Sequence, residues 1–286
     1  MRKYKLPALL RIKQWSKSLL VFAPMLFARA FDPGSLWRTS AAFGAMCLMS
    51  SAVYIFNDLR DLEEDIQNPL KQHRPLASGA VAPGAAATVA IICAFLSMTI
   101  ACLLGAGCVR VLGVFLALNV CYTLKLKQLM IIDAMCIAAG FVLRLLLCGA
   151  AIDVPVTDWL CVVMFFLSLF MAFGKRKCEL RQAISSRRKV LSHYTEQQLD
   201  RLMTATCTIT LAGYTLFSLD LSVIAKIGPH LYFTVPIVAY GLFMYSAIID
   251  RSEDGDPSTV LFRETPLKAA FLLWLTGCIV IMLWHL

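Results

Sequence analysis

The chain alternates between long apolar stretches and short polar segments. Most of the apolar stretches approach the length of about 20 residues that an α-helix needs to cross the hydrocarbon core of a membrane. We therefore predict an all-α integral membrane protein with nine transmembrane helices, arranged as one membrane-embedded domain over residues 1–286. The predicted spans are 16–31, 38–57, 83–106, 108–124, 130–152, 156–174, 204–223, 229–249 and 267–286.

The basic residues orient these spans. Of the 27 Lys and Arg residues, 22 fall on alternate polar segments, and positively charged loops generally remain on the cytoplasmic side of the membrane. The pattern predicts a cytoplasmic N-terminus, an external C-terminus and an active site that faces the cytoplasm. The predicted cytoplasmic segments are 1–17, 58–82, 125–129, 175–203 and 250–268, and most Asp and Glu residues lie on them too.

Composition supports the membrane assignment. Hydrophobic residues make up 59% of the chain and charged residues only 16%, against about 25% charged residues in soluble domains. The net charge of +9 indicates basic loops and anionic ligands, not nucleic acid. The 11 cysteines contain no C-x-x-C pair and are predicted to be packing residues. Because basic residues interrupt the first apolar stretch, no cleaved signal peptide is expected.

An acidic motif ends the second predicted span and contains Asn57, Asp58, Asp61 and Asp65. On a helix these side chains share one face. Such hard oxygen donors suit Mg²⁺, which often bridges to substrate phosphates. A solvated acidic helix end is the alternative, but the motif continues an apolar span and is followed by Lys71 and Arg74. We therefore predict a Mg²⁺ site with Asn57, Asp58, Asp61 and Asp65 as ligands.

The spacing Asn57-Asp58-x-x-Asp61-x-x-x-Asp65, followed by Lys71-x-x-Arg74-Pro75, resembles the first aspartate-rich motif of the UbiA superfamily. Members of that superfamily are intramembrane prenyltransferases. The resemblance implies a nine-helix bundle in which this motif binds Mg²⁺ and a diphosphate at the cytoplasmic mouth.

The sixth predicted span is followed by Gly174-Lys175-Arg176-Lys177-Cys178-Glu179, where most aromatic prenyltransferases of that superfamily carry a second Asp-x-x-x-Asp motif. With Arg11-x-Lys13-Gln14-Trp15, Tyr122-Thr123-Leu124-Lys125 and His193-Tyr194-Thr195, this run resembles the decaprenyl-phosphate phosphoribosyltransferase branch. The resemblance covers nearly the whole chain. It implies an enzyme of the bacterial inner membrane that transfers 5-phosphoribose from phosphoribosyl diphosphate (PRPP) to a polyprenyl phosphate. Diphosphate is released, and the product is a precursor of cell-envelope glycans.

Two other functions are considered. A UbiA-type prenyltransferase would move a prenyl group from a prenyl diphosphate to an aromatic or other small acceptor. A transporter would show internal repeats and charged groups near the membrane midplane, whereas the charged groups of this chain concentrate at one face. The sequence therefore favours an enzyme.

The expected roles follow from position and charge. The resemblance implies catalytic roles for Asn57, Asp61, Lys175 and Arg176. The expected substrate-binding residues are Lys17, Tyr54, Lys71, Arg74, Lys127, Arg144, Lys175, Arg176 and Glu179.

Four residues carry specific alternatives. Tyr54 could instead be an interfacial aromatic residue, and Lys17 could extend to the membrane interface at a helix start. Arg144 lies within an apolar span, so it is expected to face the protein interior, either beside a phosphate or in an ion pair with Asp133. Lys177 is expected to lie on the surface.

Overall fold

A computed structural model describes residues 5–69, 71–181, 189–251, 255 and 257–284, and all regular structure within them is helical. Eight helices in this part of the chain are long and apolar enough to cross a membrane. We name them α1 (Pro33–Arg60), α2 (Pro83–Leu104), α3 (Ala106–Leu124), α4 (Ile132–Ile152), α5 (Asp158–Arg181), α6 (Glu196–Leu219), α7 (Val235–Arg251) and α8 (Thr265–Trp284). Helix α7 reaches spanning length together with the 3₁₀ turn before it, as Leu231–Arg251. The all-α prediction is confirmed, whereas the orientation of the termini stays a prediction.

Shorter helical segments connect or precede the long helices. The short α-helices are Lys5–Leu9, Ala23–Ala28, Leu62–Gln67, Leu221–Ile227 and Pro257–Arg263. The 3₁₀ helices are Ile12–Phe22, Leu126–Gln128, Lys189–His193 and Leu231–Thr234, the last of which leads directly into α7.

The first predicted span, 16–31, is not a continuous transmembrane helix. It divides into the 3₁₀ helix Ile12–Phe22 and the α-helix Ala23–Ala28. Pro24 lies in the first turn of the second piece, where its missing N–H is tolerated but cannot continue a hydrogen-bond ladder from the preceding residues. Eight helices of the described residues, not nine, therefore meet the requirements for a span.

Local sequence signals set several helix ends. Asp32 caps α1 by accepting a hydrogen bond from Ser35 N at 3.0 Å, and Pro33 occupies the first helical position, as is usual at helix starts. The Ser35 side chain and then the Ser35 backbone N–H, through their hydrogen bonds, hold the pKa of Asp32 below its ordinary value. Gly105 separates α2 from α3 with φ +131°, a conformation that glycine adopts without a steric penalty.

The described residues form two compact units. The first unit comprises those within 1–25, 30–129 and 143–155, and the second comprises those within 26–29, 130–142 and 156–286. Residues 132–142 of α4 thus belong to the second unit and residues 143–152 to the first. The prediction of a single domain stays a prediction.

Helix α1 forms the centre of the first unit. In the most apolar stretch of α1, 61% of the residues are buried, whereas the corresponding shares are 17% for α2 and 22% for α3. Ser97 of α2 donates a hydrogen bond to the Ala45 carbonyl of α1 at 2.7 Å. The core side chains come from α1, α2, α3 and the second half of α4, and include Ala42, Met46, Met49, Ala101, Leu112, Phe115 and Leu147.

Helices α5 and α6 pack against each other as the principal pair of the second unit. Their core includes Phe170, Phe173, Leu199 and Met203, and α7 adds Tyr245. The ring centroids of Phe170 and Tyr245 lie 5.2 Å apart, within the range of favourable aromatic contacts. This packing fixes the end of α5, which carries the basic run predicted to be functional.

Large apolar side chains cover the outer faces of the long helices. On α2, Ile91, Phe95 and Leu103 are exposed, and α8 exposes Leu272, Leu283 and others. A soluble protein rarely leaves such extensive apolar surface in contact with water. The exposed side chains and the eight apolar helices identify an integral membrane protein.

Arg38 joins the ends of two helices within the first unit. Its guanidinium donates to the Leu104 carbonyl at 2.7 Å and to the Ala151 carbonyl. These carbonyls lie in the last turns of α2 and α4, where backbone acceptors lack partners in their own helix. A cation placed there also interacts favourably with both helix dipoles.

Replacing Arg38 should therefore weaken the packing of the first unit. We expect Arg38→Leu to lower the free energy of unfolding by roughly 1–3 kcal/mol, because two charge-assisted hydrogen bonds are lost. The measurement is an SDS-unfolding midpoint in detergent micelles. Arg110→Leu is the matched control, since Arg110 is an exposed arginine on α3. Equal losses in both variants would contradict the capping role.

Candidate active site

The acidic motif, residues 57–65, does not lie on one uninterrupted helix. Helix α1 ends at Arg60, and Asp61 has φ −97° and ψ 11° before the short helix Leu62–Gln67 begins. Backbone hydrogen bonds still run from Asp61 N to Asn57 O and from Asp65 N to Asp61 O. The four predicted metal ligands are close together in the sequence, but their side chains form two groups with different partners.

Asp58 and Asp65 form the first group, in which Arg74 joins the two carboxylates. Arg74 Nη1 lies 2.9 Å from Asp58 Oδ1 and 2.6 Å from Asp65 Oδ2. Arg11 also pairs with Asp58, and Lys71 Nζ lies 3.2 Å from Asp65 Oδ1. Only 5% of Asp58 and 1% of Asp65 is exposed. Buried carboxylates require such cationic partners to remain charged.

Asn57 and Asp61 form the second group. Asn57 Nδ2 donates to Asp61 Oδ2 at 3.2 Å, and Thr123 Oγ1 donates to Asn57 Oδ1 at 3.3 Å. Lys127 pairs with the other oxygen of Asp61. Thr123 is near the end of α3 and Lys127 is in the following 3₁₀ helix. The structure thus brings three predicted site residues, Asn57, Asp61 and Lys127, together.

Arg11 also belongs to this region, although it is not among the site residues predicted from the sequence. In addition to pairing with Asp58, its guanidinium lies 5.2 Å from the centroid of the Tyr54 ring. Arg11 has φ +50°, an uncommon conformation for a non-glycine residue. The pair of Arg11 with Asp58 joins positions 47 residues apart in sequence, so no local pattern indicated it. Tyr54 is accordingly part of the polar region and not only an interfacial aromatic residue.

Arg144 is buried in the first unit. Its guanidinium lies 5.1 Å from the centroid of the Phe115 ring, and Nη2 lies 3.4 Å from Ser50 Oγ. The suggested ion pair between Arg144 and Asp133 is wrong. The two residues are 11 positions apart on the same helix, α4, so they are separated by about 16 Å along its axis. Lys17 is half-buried on the 3₁₀ helix Ile12–Phe22.

In the second unit, the basic end of α5 contains a buried ion-pair network. Arg176 Nε donates to Asp133 Oδ2 at 2.8 Å, and Nη1 donates to Glu179 Oε2 at 2.6 Å. Asp133 is fully buried and Arg176 is 2% exposed. Lys175 and Glu179 are half-buried on the same helix. Arg176 is therefore held between two carboxylates, a role that its place in the sequence did not reveal.

Tyr194 completes this network. Its hydroxyl donates to Asp133 Oδ1 at 3.2 Å and accepts a hydrogen bond from Ile131 N at 2.6 Å. Ile131 has φ +68°, a strained conformation for a β-branched residue. Burial, together with the negative charge of Asp133, raises the pKa of Tyr194 to about 12. Tyr194 thus ties the segment before α6 to the start of α4.

Lys177 is not a surface residue. Its side chain is 5% exposed and pairs with Asp200 of α6 and Asp250 of α7. Four residues later, Arg181 pairs with Glu196 and donates to the Asp250 carbonyl at 2.8 Å. Because α5, α6 and α7 bring these charges together, the last two turns of α5 are fixed by ion pairs.

The first unit offers a limited set of oxygen donors for a cation. Within the described part of the chain, no group of three or more His, Cys, Asp and Glu side chains could hold a metal ion. Asn57 and Asp61 nevertheless present adjacent hard oxygens, and Mg²⁺ is often bound by one or two carboxylates plus waters and substrate phosphates. These donors fit a divalent cation whose other positions are filled by waters or further oxygen ligands.

Comparison with known proteins identifies the family of this chain. The model of the UbiA prenyltransferase family matches residues 18–284. The decaprenyl-phosphate phosphoribosyltransferase of Corynebacterium glutamicum is 33% identical over 95% of this chain and 84% of its own length. The enzyme of the same name from Mycolicibacterium smegmatis is 32% identical over 93% of this chain and 88% of its own length.

The fold has a close structural counterpart. A UbiA homologue from Archaeoglobus fulgidus, solved with GPP and Mg²⁺ bound, superposes with a TM-score of 0.75. The match covers 97% of this chain and 99% of the homologue at 16% sequence identity. At that identity the likeness establishes the fold alone.

The role of Tyr194 can be tested by its titration. Because the folded protein retains the phenolic proton above the ordinary pKa of 10.0 and the unfolded chain releases it, stability should fall as pH rises from about 10 to 12. We expect a smaller fall in Tyr194→Phe, measured as the unfolding temperature across this pH range. Tyr232→Phe, at an exposed tyrosine, is the control. A Tyr194→Phe slope equal to that of the unmodified protein would exclude the proposed contact.

Proposed function

The chain belongs to the UbiA prenyltransferase family, and we propose that it transfers 5-phosphoribose from PRPP to a polyprenyl phosphate of decaprenyl-like length. Diphosphate is the leaving group. The product, a lipid-linked ribose phosphate, would serve as a precursor for cell-envelope glycans. The bias of Lys and Arg towards alternate loops supports a location in a bacterial inner membrane with the site facing the cytoplasm.

The single observation that carries this proposal is the set of basic side chains that pair with the acidic motif. Four basic side chains contact three carboxylates in the first unit: Arg11, Lys71, Arg74 and Lys127 against Asp58, Asp61 and Asp65. A prenyl diphosphate carries one diphosphate group, whereas PRPP adds a 5-phosphate and the acceptor adds a lipid phosphate. The larger anionic load of phosphoribosyl transfer agrees with a cluster that places four cations on these three carboxylates.

The names of the relatives support the same substrates. Two enzymes named decaprenyl-phosphate phosphoribosyltransferase share about a third of their residues with this chain over most of its length. The basic run Lys175-Arg176-Lys177, which stands where many relatives carry a second acidic motif, agrees with that branch. A prenyltransferase acting on an aromatic acceptor is the second candidate, favoured by the family alone.

The reaction is a substitution at the anomeric carbon of ribose. An oxygen of the lipid phosphate forms a bond to C1 while the bond from C1 to the diphosphate oxygen breaks, and the bonding electrons leave with the diphosphate. The transition state has oxocarbenium character, as at other glycosyl centres. The acceptor phosphate is already anionic near neutral pH, so orientation contributes more than a strong general base.

Asn57 and Asp61 are the proposed ligands of Mg²⁺, and Asp58 and Asp65 belong to the same motif through their shared partner Arg74. When bound, the ion neutralises charge on the departing diphosphate. Lys127, already paired with Asp61, would contact the same diphosphate. This assignment separates the four predicted ligands into two that face the cation and two that hold Arg74.

The remaining side chains orient the substrates. Lys71 and Arg74 are proposed to hold PRPP phosphates, and Tyr54 a ribose hydroxyl. Lys17 and Arg144 are proposed to bind the lipid phosphate. In the second unit, Lys175 is proposed to bind phosphate, whereas Arg176 and Glu179 keep the end of α5 in place through their ion pair.

The substrates can be tested directly. Purified protein in detergent, supplied with Mg²⁺, ribose-labelled PRPP and decaprenyl phosphate, should yield a labelled lipid and release diphosphate in equal amounts. A parallel reaction contains a labelled prenyl diphosphate and 4-hydroxybenzoate. Transfer in the second reaction with none in the first would establish the aromatic prenyltransferase and reject the phosphoribosyl proposal.

The metal-ligand assignment has a separate test. We expect Asp61→Asn to lower kcat at least about 100-fold, because losing a direct ligand should exceed the 10–100-fold cost of losing an outer hydrogen-bond partner. Glu64→Gln is the matched control, since Glu64 is an exposed carboxylate in the same motif. Size-exclusion profiles and unfolding temperatures of both variants confirm folding. Full activity in Asp61→Asn would remove this residue from the site.

A further inference from the structure

Thr123 uses its hydroxyl differently from most threonines in the helices. Seven helical threonines donate a hydrogen bond to the carbonyl four residues earlier in their own helix: Thr88, Thr99, Thr204, Thr206, Thr208, Thr210 and Thr215. This is the ordinary local bond of a threonine inside a helix. Thr123 is also helical and is buried, but its hydroxyl donates to Asn57 Oδ1, on another helix.

This bond and the Asp61 contact together hold the Asn57 amide in one orientation. An amide oxygen accepts hydrogen bonds and an amide nitrogen donates them. Thr123 Oγ1 supplies a donor 3.3 Å from Oδ1, and Asp61 supplies an acceptor 3.2 Å from Nδ2. Both ends of the amide therefore have the partner that their chemistry requires, whereas a rotated amide would turn its oxygen towards the Asp61 carboxylate, which supplies no donor.

We propose that Thr123 is a positioning residue that holds Asn57 Oδ1 in the orientation needed to bind a divalent cation together with Asp61. The inference rests on the proposed metal site and extends it to a residue without direct metal contact. A carbonyl oxygen has two lone pairs. The Thr123 hydroxyl uses one of them, and the other remains for the cation.

The position of Thr123 makes this role specific to the site. Lys127, four residues later, pairs with Asp61, so one segment at the end of α3 contacts both proposed ligands. Without the hydroxyl, Asp61 alone would orient the Asn57 amide, and that contact weakens once the Asp61 carboxylate binds a cation. The amide would then be able to rotate and present N–H groups to the cation, which repel it.

Direct metal binding tests the inference without relying on turnover. Mn²⁺ alone is titrated into the full-length protein in detergent, and free Mn²⁺ is followed by electron paramagnetic resonance. Loss of an outer hydrogen-bond partner typically weakens metal binding 10–100-fold, so Thr123→Val should raise the Kd for Mn²⁺ by about that factor. Thr123→Ser restores the hydroxyl and should bind within about threefold of the unmodified protein.

The matched control is Thr210→Val. Thr210 is a buried helical threonine whose hydroxyl bonds to its own helix, so its replacement should leave Mn²⁺ binding unchanged. If Thr123→Val acted only by disturbing the structure, both valine variants would have lower unfolding temperatures. In that case Thr123→Ser would not restore Mn²⁺ binding. Unchanged Mn²⁺ affinity in folded Thr123→Val would overturn the inference.

Two further results separate this inference from the proposed function. If Asn57→Ala binds Mn²⁺ as tightly as the unmodified protein, the metal ligands are wrong and the role of Thr123 falls with them. If Thr123→Val weakens Mn²⁺ binding while PRPP proves not to be a substrate, the positioning role stands and the phosphoribosyl proposal fails.

Discussion

The buried carboxylates of Asp58 and Asp65 share one cation, because Arg74 contacts both of them, and Arg11 and Lys71 each add a pair to one carboxylate. Removing an ion from water costs several kcal/mol even after the protein relaxes, and a well-placed counter-ion must offset that cost. The short connection from α1 to Arg74 therefore has to fold back onto the acidic motif. A series of turns folds the connection back, and backbone hydrogen bonds within residues 68–69 and 71–81 hold these turns.

The same constraint applies to the second unit with the charges exchanged. There the buried group is Arg176, and the carboxylates of Asp133 and Glu179 neutralise it. Tyr194 adds a neutral hydrogen bond to Asp133, since a carboxylate with two oxygens needs more than one partner. Each unit thus stabilises the polar end of a long helix through ion pairs with segments distant in sequence.

Under the proposed function, ion pairs of this kind would also prepare a site for phosphates. In the first unit, cations already held by carboxylates have lost much of the conformational freedom that a flexible Lys or Arg side chain retains in water. A phosphorylated substrate would meet positioned charges, so less binding energy is lost in ordering them. Asn57 and Asp61 differ from the other members of the motif because Thr123 and Lys127, from the α3 region, orient them.

The sequence by itself determined the membrane class, most of the helices and the acidic motif, because these depend on hydrophobic length and on residues close together along the chain. It also predicted that Asn57, Asp61 and Lys127 belong to one site. Only the tertiary structure decided that Arg74 joins Asp58 to Asp65, that Asp133 pairs with Arg176 and not with Arg144, and that Lys177 is buried. It likewise revealed Arg11, Thr123 and Tyr194, and the break of the first predicted span near Pro24. These contacts join residues up to 73 positions apart, and burial is what selects each partner, so no local pattern in the sequence could specify them.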